Sequence, residues 1–103
     1  MSSTPVGSLP IGPYPTVVTL RGRITDLSQI KTEDPHRHVI SYFRLRLTDA
    51  TGSAVGTAWE RNHEHSLLGV GMEIIVRNAV VGRSDSYGHP SFDIPRRAVL
   101  EIL

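Results

Sequence analysis

Arg44 and Arg46 stand two residues apart in the run YFRLRLTD, where Phe43, Leu45 and Leu47 alternate with Tyr42, Arg44, Arg46 and Thr48. In an extended chain this spacing puts both guanidiniums on one face and the apolar side chains on the other. Arg21 and Arg23 repeat the pattern in TLRGRIT, and Lys31 and Arg37 follow in a polar stretch. Three aromatic residues, Trp59, Tyr87 and Phe92, lie where later segments would meet these cations. Cations along a groove, interleaved with exposed rings, suit a single strand of nucleic acid. The cations neutralise phosphates, and each ring gives a base a flat apolar partner worth ~1–3 kcal/mol. The candidate set is Lys31, Arg37, Arg44, Arg46, Trp59, Tyr87 and Phe92. The plain alternatives are a core tryptophan and solvated surface arginines.

Other chemistries find less support. The chain has no cysteine, so disulfides, thiolate metal sites and a cysteine nucleophile are excluded. Five histidines include the pairs His36/His38 and His63/His65, with His89 alone. One pair falls in a loop and the other in an expected helix, where residues two apart diverge. With no thiolate to complete a tetrahedral set, no metal or other cofactor is expected. Neither a Gly-rich phosphate loop, a Ser-His-acid signature nor HExxH occurs, so no catalytic residue is assigned and the chain is read as a non-enzyme. Asp49 opens the turn DATG, where a carboxylate accepts backbone N–H groups rather than acting as a base. The longest apolar runs are a few residues, too short for a membrane span, and the N-terminus lacks the pattern of a secretory signal.

Net charge alone would reject a nucleic-acid ligand, because it is only +1 over 103 residues. The distribution is uneven. Residues 1–48 carry six cations against three carboxylates, and residues 49–103 five against seven. The useful cations are therefore expected in the first half, with Arg61, Arg77, Arg96 and Arg97 elsewhere and Arg21 and Arg23 at the margin.

A chain of this length supports one compact core. Residues 1–15 hold four of the seven prolines and no charged side chain. They read as an extended arm that Leu9 and Tyr14 could pin to the body, with one domain over 16–103. A first strand starts at Thr16, with Val18, Leu20, Gly22 and Ile24 inward. Residues 28–38, polar and containing Pro35, read as a long loop. The YFRLRLTD run is the second strand, and Ser53–Trp59 the third, with Val55, Thr57 and Trp59 on one face. Residues 60–70 are the one stretch that reads as a helix, ended by Gly69 and Gly71. A fourth strand covers 72–83, bulged near Asn78, and a fifth runs from Phe92 to Leu103, interrupted by Pro95. Three strands, a short helix and two strands, with long loops after the first and fourth, predict an all-β, five-stranded OB-fold Greek-key barrel with the helix between strands three and four. An SH3-like barrel ranks second, since it usually lacks that helix.

Three segments carry a resemblance to a known family. PVGSLPIGPYP resembles the entry segment, RGRITDLSQIKT the first strand and start of the first loop, and YFRLRLTDATGSAVGTAW the second strand, turn and third strand of the DNA-binding OB domains in the large subunit of replication protein A. The first central domain of that subunit is the most similar, and the similarity covers most of residues 5–83. The resemblance implies binding of single-stranded DNA with little sequence preference, in replication, repair or recombination, in the nucleus, alongside other OB-fold subunits of such a complex. RNA is an open alternative. Position by position, it implies that Lys31 and Arg37 contact phosphate from the first loop, that Trp59 stacks on a base, and that Phe92 is the second stacking ring. Val55 departs from the family pattern, which places a DNA-contacting Arg there. That loss predicts weaker binding unless Arg44 or Arg46 substitutes. The rival class is an OB-fold protein-interaction or subunit-assembly module of a telomere- or repair-type complex.

Overall fold

The computed structural model describes residues 3–12, 14–84 and 87–103. Six strands form one sheet: β1 (Thr16–Glu33), β2 (Val39–Asp49), β3 (Gly52–Trp59), β4 (Glu73–Ser84), β5 (Pro90–Ile94) and β6 (Val99–Ile102). The order β1-β2-β3-β5-β4 closes on itself because β4 also pairs with β1. The β3–β5 contact is parallel, and β6 lies against β4 beside residues 74–77. This is the five-stranded OB barrel that the alternation predicts, and closure leaves the barrel strands without free edges.

Each strand turns its apolar phase inward. Leu20 and Ile24 from β1, Phe43, Leu45 and Leu47 from β2, Ile74, Val76, Ala79 and Val81 from β4, and Phe92 and Ile94 from β5 fill the interior. β3 contributes only small residues to it, Ala54, Gly56 and Ala58. Gly56 is small for a reason. A Cβ there would sit 2.0 Å from the Phe92 ring, which occupies the space a side chain would take.

Three expected elements are revised. The 28–38 loop is mostly strand, because β1 runs to Glu33 and pairs with β2 out to Glu33–Val39. Its alternation was hidden because the hairpin projects past the core, so neither face of residues 28–33 needs to be apolar. The chain reverses over 34–38, where Asp34 Oδ1 accepts the N–H groups of His36 (2.9 Å) and His38 (2.8 Å). The helix over 60–70 is reduced to one 3₁₀ turn, His65–Leu67, with Leu68 dropping into the core. The fifth strand is split into β5 and β6 by a turn at Pro95, where Ala98 N–H reaches Pro95 O at 2.9 Å. The bulge near Asn78 is present: Asn78 has φ 63° and the β1–β4 register shifts beside it.

Residues 5–9 take part in the packing. A 3₁₀ turn at Val6–Ser8 puts Val6 and Leu9 into the core, whereas Tyr14 is 79% exposed and pins nothing. Asp49 anchors this segment. Its Oδ2 accepts Val6 N–H at 2.9 Å, and its Oδ1 accepts Thr51 N–H at 2.8 Å. Gly7 N–H in turn reaches Thr51 Oγ1 at 2.9 Å. The approach is so close that a Cβ on Gly7 would lie 2.1 Å from Thr51 O. Partial burial alone would raise the Asp49 pKa. Hydrogen bonds from the Thr51 hydroxyl and from the Val6, Thr51 and Gly52 N–H groups outweigh it and hold the carboxyl below its ordinary value.

Candidate nucleic-acid interface

The outward phase of β1, β2, β3 and β5 makes one continuous surface. Across the ladders, Ser28 is opposite Arg44 and Asp26 opposite Arg46. Trp59 is opposite Tyr42, Thr57 opposite Arg44, and Val55 opposite Arg46. Ser91 and Asp93 extend the row from β5. Over its centre lies an open groove of about 660 Å³, lined among others by Ser28, Arg44, Arg46, Val55, Thr57, Tyr87 and His89. Tyr87 is 85% exposed, and its ring lies 6.5 Å from that of His89.

At the outer end of β2 and β3, beyond the groove, four flat groups follow one another. The guanidinium of Arg61 lies 5.4 Å from the centre of the Trp59 ring. The Trp59 and Tyr42 rings are 6.1 Å apart and tilted by 59°. The guanidinium of Arg44 lies 5.7 Å from the Tyr42 ring centre. Trp59 is 43% exposed, so it is not a core residue. Arg61 is positioned by a turn in which the N–H groups of Asn62 and His63 both bond Trp59 O, at 3.0 and 3.1 Å.

Of the seven residues singled out from sequence, Arg44, Arg46, Trp59 and Tyr87 share this surface. Lys31 and Arg37 do not sit with them. Lys31 is opposite Ser41, in phase with Gln29 and Leu27, so it points from the other face of the projecting hairpin. Arg37 is in the hairpin turn, with φ 65°. Phe92 is corrected outright. Its ring is 1% exposed, packed over Gly56, and cannot stack on a base. The inward phase of β5 dictates this, since Phe92 and Ile94 alternate with Ser91 and Asp93.

Sequence reasoning missed two groups. Arg61 was assigned elsewhere with the acidic half, yet it covers Trp59; its position two residues beyond a strand-ending aromatic was the available signal. Tyr42 was read as outward but not as part of the site. Val55 does stand on the groove wall opposite Arg46, which places a cation beside the position where the resembled family has one.

The histidines are engaged locally. His38 Nδ1 lies 3.2 Å from Asp34 Oδ2, His63 Nε2 2.8 Å from Pro95 O, and His65 contacts Glu60. Among the described residues no three His, Cys, Asp or Glu side chains gather as a metal site would require. Among the described residues no helix is long and apolar enough to cross a membrane.

Comparison with solved structures agrees on the fold. The chain is similar to the replication factor A related protein of Methanobacterium thermoautotrophicum, with a TM-score of 0.76 and 16% identity over 99% of this chain and 91% of that one. It is also similar to the OB domain of a Thermoplasma acidophilum protein, with a TM-score of 0.66 and 17% identity over 84% and 74% of the two chains. For the OB domain of a Methanosarcina mazei protein the TM-score is 0.60 and the identity 20%, over 93% and 85%. No family model and no curated protein sequence matches the chain. The molecule is an OB-fold domain.

Proposed function

We propose that this OB domain binds single-stranded nucleic acid, with single-stranded DNA as its ligand and little preference for base sequence. The observation that carries the reading is the joint placement of Arg44, Arg46, Trp59 and Tyr87 on one outward surface around an open groove. Among the described residues, neither Arg44 nor Arg46 is ion-paired. The cations would take phosphates and the rings would take bases. Likeness to a protein described as replication factor A related supports the same direction. In this reading the domain serves replication, repair or recombination as a non-catalytic binding module beside other OB-fold subunits.

A second reading has its own observation. Val70, Met72, Val99, Ile102 and Leu103 are exposed before β4 and along β6, which favours a protein-interaction module. One titration separates the two. Trp59 is the single tryptophan, so its fluorescence should be quenched by oligo-dT at low salt and much less by duplex DNA. Oligo-rU run in parallel reports discrimination by the sugar. An emission spectrum that no oligomer changes, together with no binding by anisotropy, would favour the protein-interaction reading.

A further inference from the structure

The stack at the outer end of β2 and β3 carries more than the groove requires. Two rings, Trp59 and Tyr42, are cross-strand partners on the outward surface, and each has a guanidinium over it. Neither Arg44 nor Arg61 makes an ion pair among the described residues. The carboxylate next to Arg61 is committed elsewhere. Glu60 Oε1 accepts Gln29 Nε2 at 3.3 Å, and Glu60 also contacts His65. Arg61 is therefore held by the turn and the ring alone, and a guanidinium on an exposed ring is held more weakly than a stacked base.

Resting on the single-strand reading above, we propose that Tyr42 and Trp59 form a two-ring base platform, and that each ring is kept covered in the free protein by an arginine that the incoming strand displaces onto a phosphate. Arg61 serves Trp59 and Arg44 serves Tyr42. The 59° tilt between the rings makes two neighbouring bases lie splayed rather than stacked on one another, which an unpaired strand permits and a duplex does not. The covering arginines keep a paired aromatic surface from being bare when no strand is bound. Each is then already within reach of the phosphate next to the base that replaces it.

The test is binding of fluorescein-labelled oligo-dT across a salt series for the intact chain and for Tyr42→Ala, Tyr42→Phe and Arg61→Ala. Tyr42→Ala should weaken binding by about fivefold to a hundredfold, the loss expected for one stacking ring, and Tyr42→Phe should restore it. Arg61→Ala should weaken binding at low salt and reduce the slope of log K against log salt by about 0.7, one phosphate on a single strand. If Arg61 only blocks the ring, Arg61→Ala binds more tightly with an unchanged slope, and the hand-over is overturned. If wild type binds while Tyr42→Ala and Arg61→Ala match it, the platform falls and the single-strand reading stands. If wild type binds no oligomer, both fall. Arg61 is exposed, so its variant decides the matter even if Tyr42→Ala, at a half-buried position, loses its fold.

Discussion

Two sets of arginines lie on the outside of the same barrel, and they differ in what holds them. On β1, β4 and β6, Arg21 is bound to Glu73 and Arg77 to Glu101, each at 2.9 Å. Around β2 and β3, Arg44 and Arg61 rest on aromatic rings, and Arg46 has no carboxylate within ion-pair distance among the described residues. A neutralised arginine gains little from a phosphate, whereas one lying on a ring or in water keeps its charge to offer. The net charge of +1 is thus an average over two surfaces of different character. The placement of the carboxylates, more than the count of cations, separates Arg44, Arg46 and Arg61, which can take an anion, from Arg21 and Arg77, which are already paired.

The largest expected effect concerns the rings that the two surfaces do and do not expose. Phe92→Ala should cost ~3–5 kcal/mol of stability, as a large-to-small change in a close-packed core does. The folded fraction should bind oligo-dT normally. Trp59→Ala should do the reverse, weakening binding by ~1–3 kcal/mol with a small change in melting temperature. A Trp59→Ala protein that melts as early as Phe92→Ala would break the comparison at its aromatic centre.

Next in size is the charge on the binding face. Replacing Arg44 and Arg46 together by Ala should flatten the salt slope by about 1.4, two phosphates at ~0.7 each, and weaken binding to every base sequence alike. Arg21→Ala with Arg77→Ala should leave that slope unchanged. Equal slopes for the two double variants would mean that ion pairing does not divide the surface.

Asp49 gives a pH dependence that binding should not share. Its folded pKa lies below the ordinary value of 3.8, so the folded chain holds fewer protons than the unfolded chain in that range. Its contribution is complete above that value and is lost as pH falls through the lowered folded pKa. Asp49→Asn should remove this part of the acid transition seen by circular dichroism. It should also cost ~1–2 kcal/mol at neutral pH by weakening the anchor of Val6. The smallest effect is the stability change on breaking a paired arginine. Arg21→Ala should shift ΔG by ~0–1 kcal/mol, and less at high salt.

Much of the barrel could be read from the chain because β2 states its inward and outward phases without interruption from Tyr42 to Thr48. Arg44 and Arg46 were legible for the same reason. Lys31 was not. A bulge between Ile24 and Asp26 gives β1 one residue more than β2, so inward positions pass from even numbers at Leu20 and Ile24 to odd numbers at Leu27. With residues 28–38 read as a loop, Lys31 has no strand phase to count, and nothing in TDLSQ announces the bulge that sets it opposite Ser41. Phe92 was misread because its burial depends on Gly56, 36 positions earlier in sequence and paired with it across β3 and β5. Arg61 was missed because charge totals by half-chain carry no information about a turn that folds one side chain over another.

The anchoring of Val6 to Asp49 also has a consequence in time. Val6 and Gly7 leave the ribosome well before they can find their place, because their partners, Asp49 and Thr51, lie 43 and 44 positions later. At synthesis rates of ~5–20 residues per second, Val6 and Leu9 wait seconds with their side chains in water. Their socket exists only once β2 and β3 have turned back on each other. Docking of this segment therefore follows the β2–β3 turn and has no part in starting it.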